Sequence, residues 1–226
     1  VQPTRMIDGI RLKVCGLTSL VDAEAADAIG ADCLGFILHP SSPRYLPLAQ
    51  YRAMAHRLPP RRRVAVMVEP EIEDLAVVAG EGFHFFQVHF RSDLPEETLA
   101  AWSETVSPER LWLAPKLPPD EDIHREWLPL ATYFLMDTFH AGGFGGSGKT
   151  GDWGKFARHQ QKYPKKAWIL AGGLNPENIG EALARSGARF VDVNSGVEAA
   201  PGVKDPAKLR EFAAAIHRAR SEPAVR

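Results

Sequence analysis

The chain has 226 residues, 45% of them hydrophobic and 24% charged, which supports one full core and is too short for two comfortable domains. Its net charge of −1 leaves no broad basic face for nucleic acid or an anionic membrane, so an anionic ligand must be held by local groups. Two cysteines, Cys15 and Cys33, exclude a disulfide framework, and no stretch approaches the ~20 apolar residues of a membrane span.

Short apolar runs alternate with longer amphipathic ones from end to end. Strands are predicted at Arg11–Cys15, Cys33–Leu38, Arg63–Val68, His84–Val88, Arg110–Pro115, Tyr133–Met136, Ala167–Ala171 and Phe190–Val193. Helices are predicted near 20–29, 47–58, 71–79, 95–106, 120–130, 153–161, 176–186 and 205–220. Pro47, Pro95, Pro176 and Pro206 sit where a first helical turn tolerates a missing N–H, and Gly30, Gly80 and Gly187 where helices should end. Eight regular strand–helix units point to a closed parallel (β/α)8 TIM barrel, one domain over residues 1–226 with its core at about 11–220. An open doubly wound sheet is the competitor. In this order Cys15 ends one strand and Cys33 begins the next, placing the two thiols at opposite ends of the sheet. The N-terminus shows no apolar signal core, so a reducing cytoplasm is the expected setting.

Barrel chemistry sits at the C-terminal ends of the strands. Cys15 occupies such an end, followed by Gly16, which leaves room above it. An isolated strand cysteine is usually a buried small hydrophobe, but at this rim a thiol suits a general base if something lowers its pKa. Lys13, two residues back on the same face, is one candidate. Asp137 closes the sixth strand; it is either a loop cap or, across the mouth from Cys15, the matching acid. Gly172-Gly173 and Ser195-Gly196 follow strands seven and eight, where backbone N–H groups of barrels commonly bind phosphate. Arg44 lies in a loop stiffened by Pro40 and Pro43, and its guanidinium is suited to grip a carboxylate.

The run from Gly143 to Thr150, Gly-Phe-Gly-Gly-Ser-Gly-Lys-Thr, fits the letters of a nucleotide-binding P-loop. That motif should run straight into a helix, whereas Gly151-Asp152 intervenes, so a glycine-rich lid over the mouth is the better reading. The eight histidines show no helical metal spacing, and His84 and His89 fall on opposite faces of their strand. No metal site is read.

Four segments in order, Lys13–Leu46, Leu135–Trp153, Leu170–Ile179 and Val191–Asp205, closely resemble phosphoribosylanthranilate isomerases, with agreement over roughly residues 11 to 216. The resemblance implies an Amadori rearrangement of N-(5′-phosphoribosyl)anthranilate to 1-(o-carboxyphenylamino)-1-deoxyribulose 5-phosphate in tryptophan biosynthesis. Asp137 matches the family's general acid, Cys15 its general base and Arg44 the arginine on the anthranilate carboxylate. The glycines after strands six to eight (Gly146, Gly148, Gly172, Gly173 and Gly196) match the phosphate cradle together with Ser195. Asp192 joins the expected substrate-binding set. No cofactor or metal is implied, because the substrate's own nitrogen is the electron sink. The partner is a small phosphorylated molecule, and the protein a monomer or homodimer.

Departures from the family pattern fall at Phe90, where glycine is usual, in Val68-Glu69-Pro70, which lacks the family's more common asparagine, at Asn194, where serine is frequent, and at Gly151, where an aromatic residue usually precedes Asp-Trp. Three rivals remain: an isomerase of the related histidine-pathway ribonucleotide or one accepting both substrates, a non-catalytic phosphosugar-binding barrel, and a P-loop nucleotide enzyme. Cys15 argues against the first, since those relatives carry aspartate there.

Overall fold

A computed structural model describes residues 4–137 and 152–221. Eight parallel strands close on themselves in chain order: β1 (Arg11–Val14), β2 (Cys33–Ile37), β3 (Arg62–Val68), β4 (Phe85–Arg91), β5 (Leu111–Lys116), β6 (Tyr133–Met136), β7 (Ala167–Leu170) and β8 (Phe190–Val193). The barrel is therefore closed, not doubly wound. Its seam is β1 against β8, with Lys13 in register with Asp192; on the other side Lys13 pairs with Cys33. Cys33 thus lies only one layer below Cys15, a correction to the expected placement at opposite ends, and both thiols are free.

Helices α1 (Leu20–Ala28), α2 (Leu48–Ala55), α3 (Ile72–Ala79), α4 (Glu96–Val106), α5 (Trp153–Lys162), α6 (Ile179–Ser186) and α7 (Pro206–Ser221) wrap the outside. Their ends follow elementary capping. Ser19 accepts from the Asp22 N–H ahead of α1, and Asp152 accepts from the Lys155 N–H ahead of α5. Gly187 ends α6 in the left-handed conformation, φ 66°. Pro206 opens α7 as expected, whereas Pro47 and Pro95 stand one residue earlier, as caps, and Pro176 lies in the turn before α6.

The helix expected over 120–130 is a correction: only a 3₁₀ turn forms, at Arg125–Leu130. Pro129, inside this stretch, removes a donor that a continuing helix would need, while Pro118 and Pro119 lie ahead of it. The carbonyls of Pro118, Pro119 and Glu121 instead accept from the buried Lys155 ammonium, at 2.9 and 3.3 Å for the first two. A short antiparallel hairpin of β9 (Glu198–Ala200) and β10 (Val203–Lys204) between β8 and α7 is a further element that alternation alone does not reveal.

Strand residues alternate between the helix layer and the barrel interior. The interior cluster includes Cys15, Cys33, Val64, Val66, Trp112 and Phe190. Phe90, by contrast, faces outward and packs edge-on against Trp102 and Trp127, so this departure from the family pattern does not touch the barrel interior. Glu69, just past β3, has φ +40°, in the left-handed region that few non-glycine residues adopt.

Aromatic rings fill the lower barrel. Trp112 lies 5.1 Å from Phe85, 5.1 Å from Tyr133 and 5.5 Å from Phe190, centroid to centroid. Arg11 covers Phe190 at 4.1 Å and is anchored by Asp32 at 2.8 Å. This plug leaves the opposite end as the entrance for a ligand. No helix among the described residues is long and apolar enough to cross a membrane. Trp112 is fully buried, so Trp112→Ala should cost about 3–5 kcal/mol, read from urea unfolding. A loss under about 1 kcal/mol would mean that the floor collapses around the gap or carries little of the core.

Candidate active site

At the C-terminal ends of the strands lies a cavity of about 520 Å³, within the range of small-molecule sites. Cys15, Arg44, Asp137, Gly172, Gly173, Asp192 and Ser195 all line it. The Cys15 N–H donates to the Val193 carbonyl at 2.9 Å, extending the β1–β8 ladder by one residue and fixing the thiol's place. Gly35, facing it from β2, has no side chain to intrude: a Cβ there would stand 2.8 Å from Lys13 Cε and 3.0 Å from Cys15 Sγ.

Below the thiol, Lys13 Nζ donates to Asp192 Oδ2 at 2.7 Å, and the lysine is wholly buried. Burial alone would draw the ammonium down, but Asp192 and the adjacent thiol outweigh it and raise Lys13 to about 12. Burial pushes the Cys15 thiol up, and Asp192 adds to this, while Lys13 and Lys204 pull the other way. Lys13 is therefore placed as expected, yet in the ligand-free protein its effect loses to desolvation. Lys13, the candidate for lowering the thiol, does not on its own bring it below the ordinary range. Cys33, in the layer beneath, is pushed up to about 12 by burial and Asp32.

Gln87 and His89 of β4 form the far wall and are hydrogen-bonded to each other at 2.7 Å. Burial, with Lys13 and His39 nearby, pulls the His89 imidazole down to about 4, so it is neutral near pH 7. From the sequence His89 is weighed only as a metal ligand, and neither residue is given a place in the site; their signal is two polar residues spaced by two in an apolar strand.

Arg44 reaches the cavity, but it is not a solitary loop arginine. Its Nε and Nη2 donate side-on to the two Glu198 oxygens at 2.8 and 2.7 Å. Burial would raise the Glu198 carboxyl, but Arg44 and Lys204 hold it below its usual range. Glu198 and Lys204 were also missed, although both lie in the last of the four motif segments. Gly16 lets this wall close: its φ is +71°, and a Cβ would stand 2.5 Å from Asn194 Oδ1 and 2.8 Å from Arg44 Cδ.

Opposite, Gly172 and Gly173 take successive positive φ angles of 88° and 61°. The backbone N–H groups of Gly172, Gly173 and Ser195 donate to no acceptor among the described residues. Asn178 holds this loop through the Gly173 carbonyl at 2.8 Å. Gly196 does not line the cavity; it lies against the Leu174 carbonyl, where a Cβ would stand 2.0 Å away. Gly146, Gly148 and the rest of the run from Gly143 to Thr150 lie outside the described residues. Helix α5 starts only at Trp153, capped by Asp152, so it does not follow that run as a P-loop helix would. Among the described residues, no group of three or more His, Cys, Asp or Glu side chains is placed to hold a metal ion.

Comparison with known proteins agrees with this geometry. The N-(5′-phosphoribosyl)anthranilate isomerase family matches residues 12–215. A protein of that name from Neisseria gonorrhoeae is 36% identical, covering 92% of this chain and 97% of its own length. One from Syntrophus aciditrophicus is 37% identical, over 92% of this chain and 87% of its own. The crystal structure of the Thermus thermophilus enzyme superposes with a TM-score of 0.76 at 33% identity, covering 92% and 99% of the two chains. Another solved structure, a phosphoribosyl anthranilate isomerase in complex with reduced 1-(o-carboxyphenylamino)-1-deoxyribulose 5-phosphate, aligns at 31% identity with a TM-score of 0.72, over 90% and 96%. The chain belongs to the N-(5′-phosphoribosyl)anthranilate isomerase family.

Proposed function

We propose that this chain converts N-(5′-phosphoribosyl)anthranilate to 1-(o-carboxyphenylamino)-1-deoxyribulose 5-phosphate, with Asp137 as general acid and Cys15 as general base. The observation that carries this reading is one cavity lined by both groups, with Arg44 on one wall and the Gly172, Gly173 and Ser195 amides on another. The relative that was crystallised with the reduced product supports the same ligand class. The phosphate lies against the amides, and the anthranilate carboxylate against Arg44.

Asp137 gives its proton to the furanose ring oxygen, the C1–O bond breaks, and the anilino nitrogen's lone pair forms the iminium. Cys15 as thiolate then takes the C2 proton; the C2–H electrons form the enol amine and neutralise the nitrogen. Tautomerisation moves the enol proton to C1 and yields the ketone, so the sequence is an isomerisation with no external oxidant or reductant. The thiol of the empty site is held up by burial. A cationic iminium beside it favours loss of the thiol proton to solvent, which gives the thiolate; after turnover Cys15 holds the C2 proton and Asp137 is reprotonated from solvent. The reaction uses no cofactor, because the substrate nitrogen accepts the electrons. Two buried free thiols fit the cytoplasm.

Freshly made phosphoribosylanthranilate should lose its fluorescence when the protein is added. Asp137→Asn and Cys15→Ser should each lower kcat by about 10²–10⁴-fold, with KM changed much less. Near-normal kcat in Cys15→Ser would assign the base to another group. A C2-deuterated substrate should show a larger isotope effect in Cys15→Ser, where deprotonation limits, than in Asp137→Asn, where ring opening does.

The base also has a pH signature in the empty protein. Alkylation of Cys15 by iodoacetamide should titrate above the ordinary thiol range, and Lys13→Met should move it higher, since Lys13 opposes the effect of burial. Cys33 should stay silent near neutral pH. A wild-type midpoint at or below about pH 8.5 would contradict the assigned electrostatics.

A further inference from the structure

We infer that Glu198 and Lys204 are positioning residues for Arg44: they fix its guanidinium side-on at the cavity wall and leave the three-residue cluster with one surplus positive charge for a ligand carboxylate. The inference rests on the reading above, in which Arg44 meets the anthranilate carboxylate, and extends it to residues outside the cavity lining.

Arg44, in the loop after β2, and Glu198, at the start of β9, are 154 positions apart in sequence. The Glu198 carboxylate takes the Nε–H and one Nη2–H of the guanidinium, leaving both Nη1–H groups and the second Nη2–H as donors for a ligand. Taken alone, this pair is neutral and would attract a second carboxylate weakly. Lys204 alters the sum. Its side chain is 0% exposed, and its ammonium donates to Glu198 Oε1 at 2.9 Å. It also donates to Asn194 Oδ1 at 2.9 Å and the Asn194 carbonyl at 3.2 Å. Two cations therefore share one carboxylate, and the surplus charge appears at Arg44, the member that lines the cavity.

Glu198 is itself over-determined: the Gly202 N–H also donates to Oε1, and Lys208 Nζ donates to its backbone carbonyl at 2.7 Å. A fork held in this way cannot swing with the flexible arginine stem, so little side-chain entropy is lost when the ligand binds. The same ammonium anchors Asn194, next to Ser195, and so ties the carboxylate wall to the loop assigned to the phosphate.

The test compares two ligands: the reduced product, 1-(o-carboxyphenylamino)-1-deoxyribitol 5-phosphate, and its anilino counterpart without the carboxylate. Their affinities are measured by calorimetry on wild type, Lys204→Met, Lys204→Arg and Glu198→Gln, with circular dichroism melts as a fold check. Wild type should prefer the carboxylate ligand. Lys204→Met should lose about tenfold or more of that preference while its affinity for the anilino ligand stays within about twofold, and Lys204→Arg should retain the preference.

Glu198→Gln makes the cluster more positive yet removes the fork, so it too should lose preference. A sharpened preference there would show that net charge alone matters and overturn the positioning role. Unchanged preference in Lys204→Met would overturn the inference as well. Should Lys204→Met fail to fold, the nearly isosteric Glu198→Gln carries the test with the same readout. If wild type itself shows no preference for the carboxylate ligand, the reading of Arg44 falls, and this inference with it. If wild type discriminates and every variant does so equally, only this inference falls.

Discussion

Where β8 closes onto β1, an ammonium and a carboxylate meet inside the barrel, nearly out of contact with water. Lys13 and Asp192 are 2.7 Å apart, with side chains 0% and 8% exposed. Either charge left alone there would cost on the order of 3–5 kcal/mol, so the register that closes the barrel is also the register that neutralises its centre. Much of the upper barrel is arranged around this pair. Cys15 stands one layer above Lys13, Cys33 pairs beside it, and Gly35 gives up a side chain so that the lysine fits. Lys13 also helps to keep His89 neutral across the cavity. Asp192 Oδ1 has no hydrogen-bond partner among the described residues, although the residue lines the cavity, so an acceptor is left at its floor.

Charge in the site is distributed by depth. A nearly neutral pair lies at the bottom, a cluster with one surplus positive charge on the Arg44 wall, and uncharged backbone amides on the Gly172–Gly173 wall. A ligand with an anion at each end therefore meets two different receptors. A carboxylate is suited to a planar fork, and a phosphate to several converging N–H groups. The overall charge of −1 supplies no general attraction, so recognition depends on these local groups. The aromatic plug beneath matters for the same reason, because it keeps water from reaching the buried pair from below.

The strands were legible because each is a short apolar run whose burial is imposed on both faces, and seven of the eight helices because amphipathic pattern and end signals agreed. The exception over 120–130 shows the limit of pattern. Its residues read as helix, yet Pro129 withholds a donor, and the carbonyls of Glu121 and of Pro118 and Pro119 just ahead serve a lysine from α5 more than thirty positions away. At the site, Cys15 and Asp137 could be picked out because a strand end fixes their position. Arg44 was legible as a loop cation but not in its pairing. Glu198 and Lys204 read as ordinary surface charges, since only the β9–β10 hairpin, itself invisible to strand alternation, turns them inward. Long-range ion pairs leave no local periodicity, which is why the carboxylate wall was the least legible part.

The choice of a thiol at position 15 follows from the pair beneath it. A carboxylate at this depth would set a second like charge near Asp192, and the two would compete for Lys13, so one would be forced to take up a proton. A thiol avoids that conflict, because it is inexpensive to bury while neutral and imposes no charge on the empty site. The cost is a base that is protonated at rest, as burial dictates here. On the proposed mechanism that cost is offset when ring opening places a cation next to the sulfur, since the same low-dielectric surroundings that oppose an isolated thiolate strengthen its attraction to an iminium. In the proposed reaction, proton transfer from Asp137 therefore precedes proton transfer to Cys15, because only the ring-opened iminium both acidifies C2–H and attracts a thiolate.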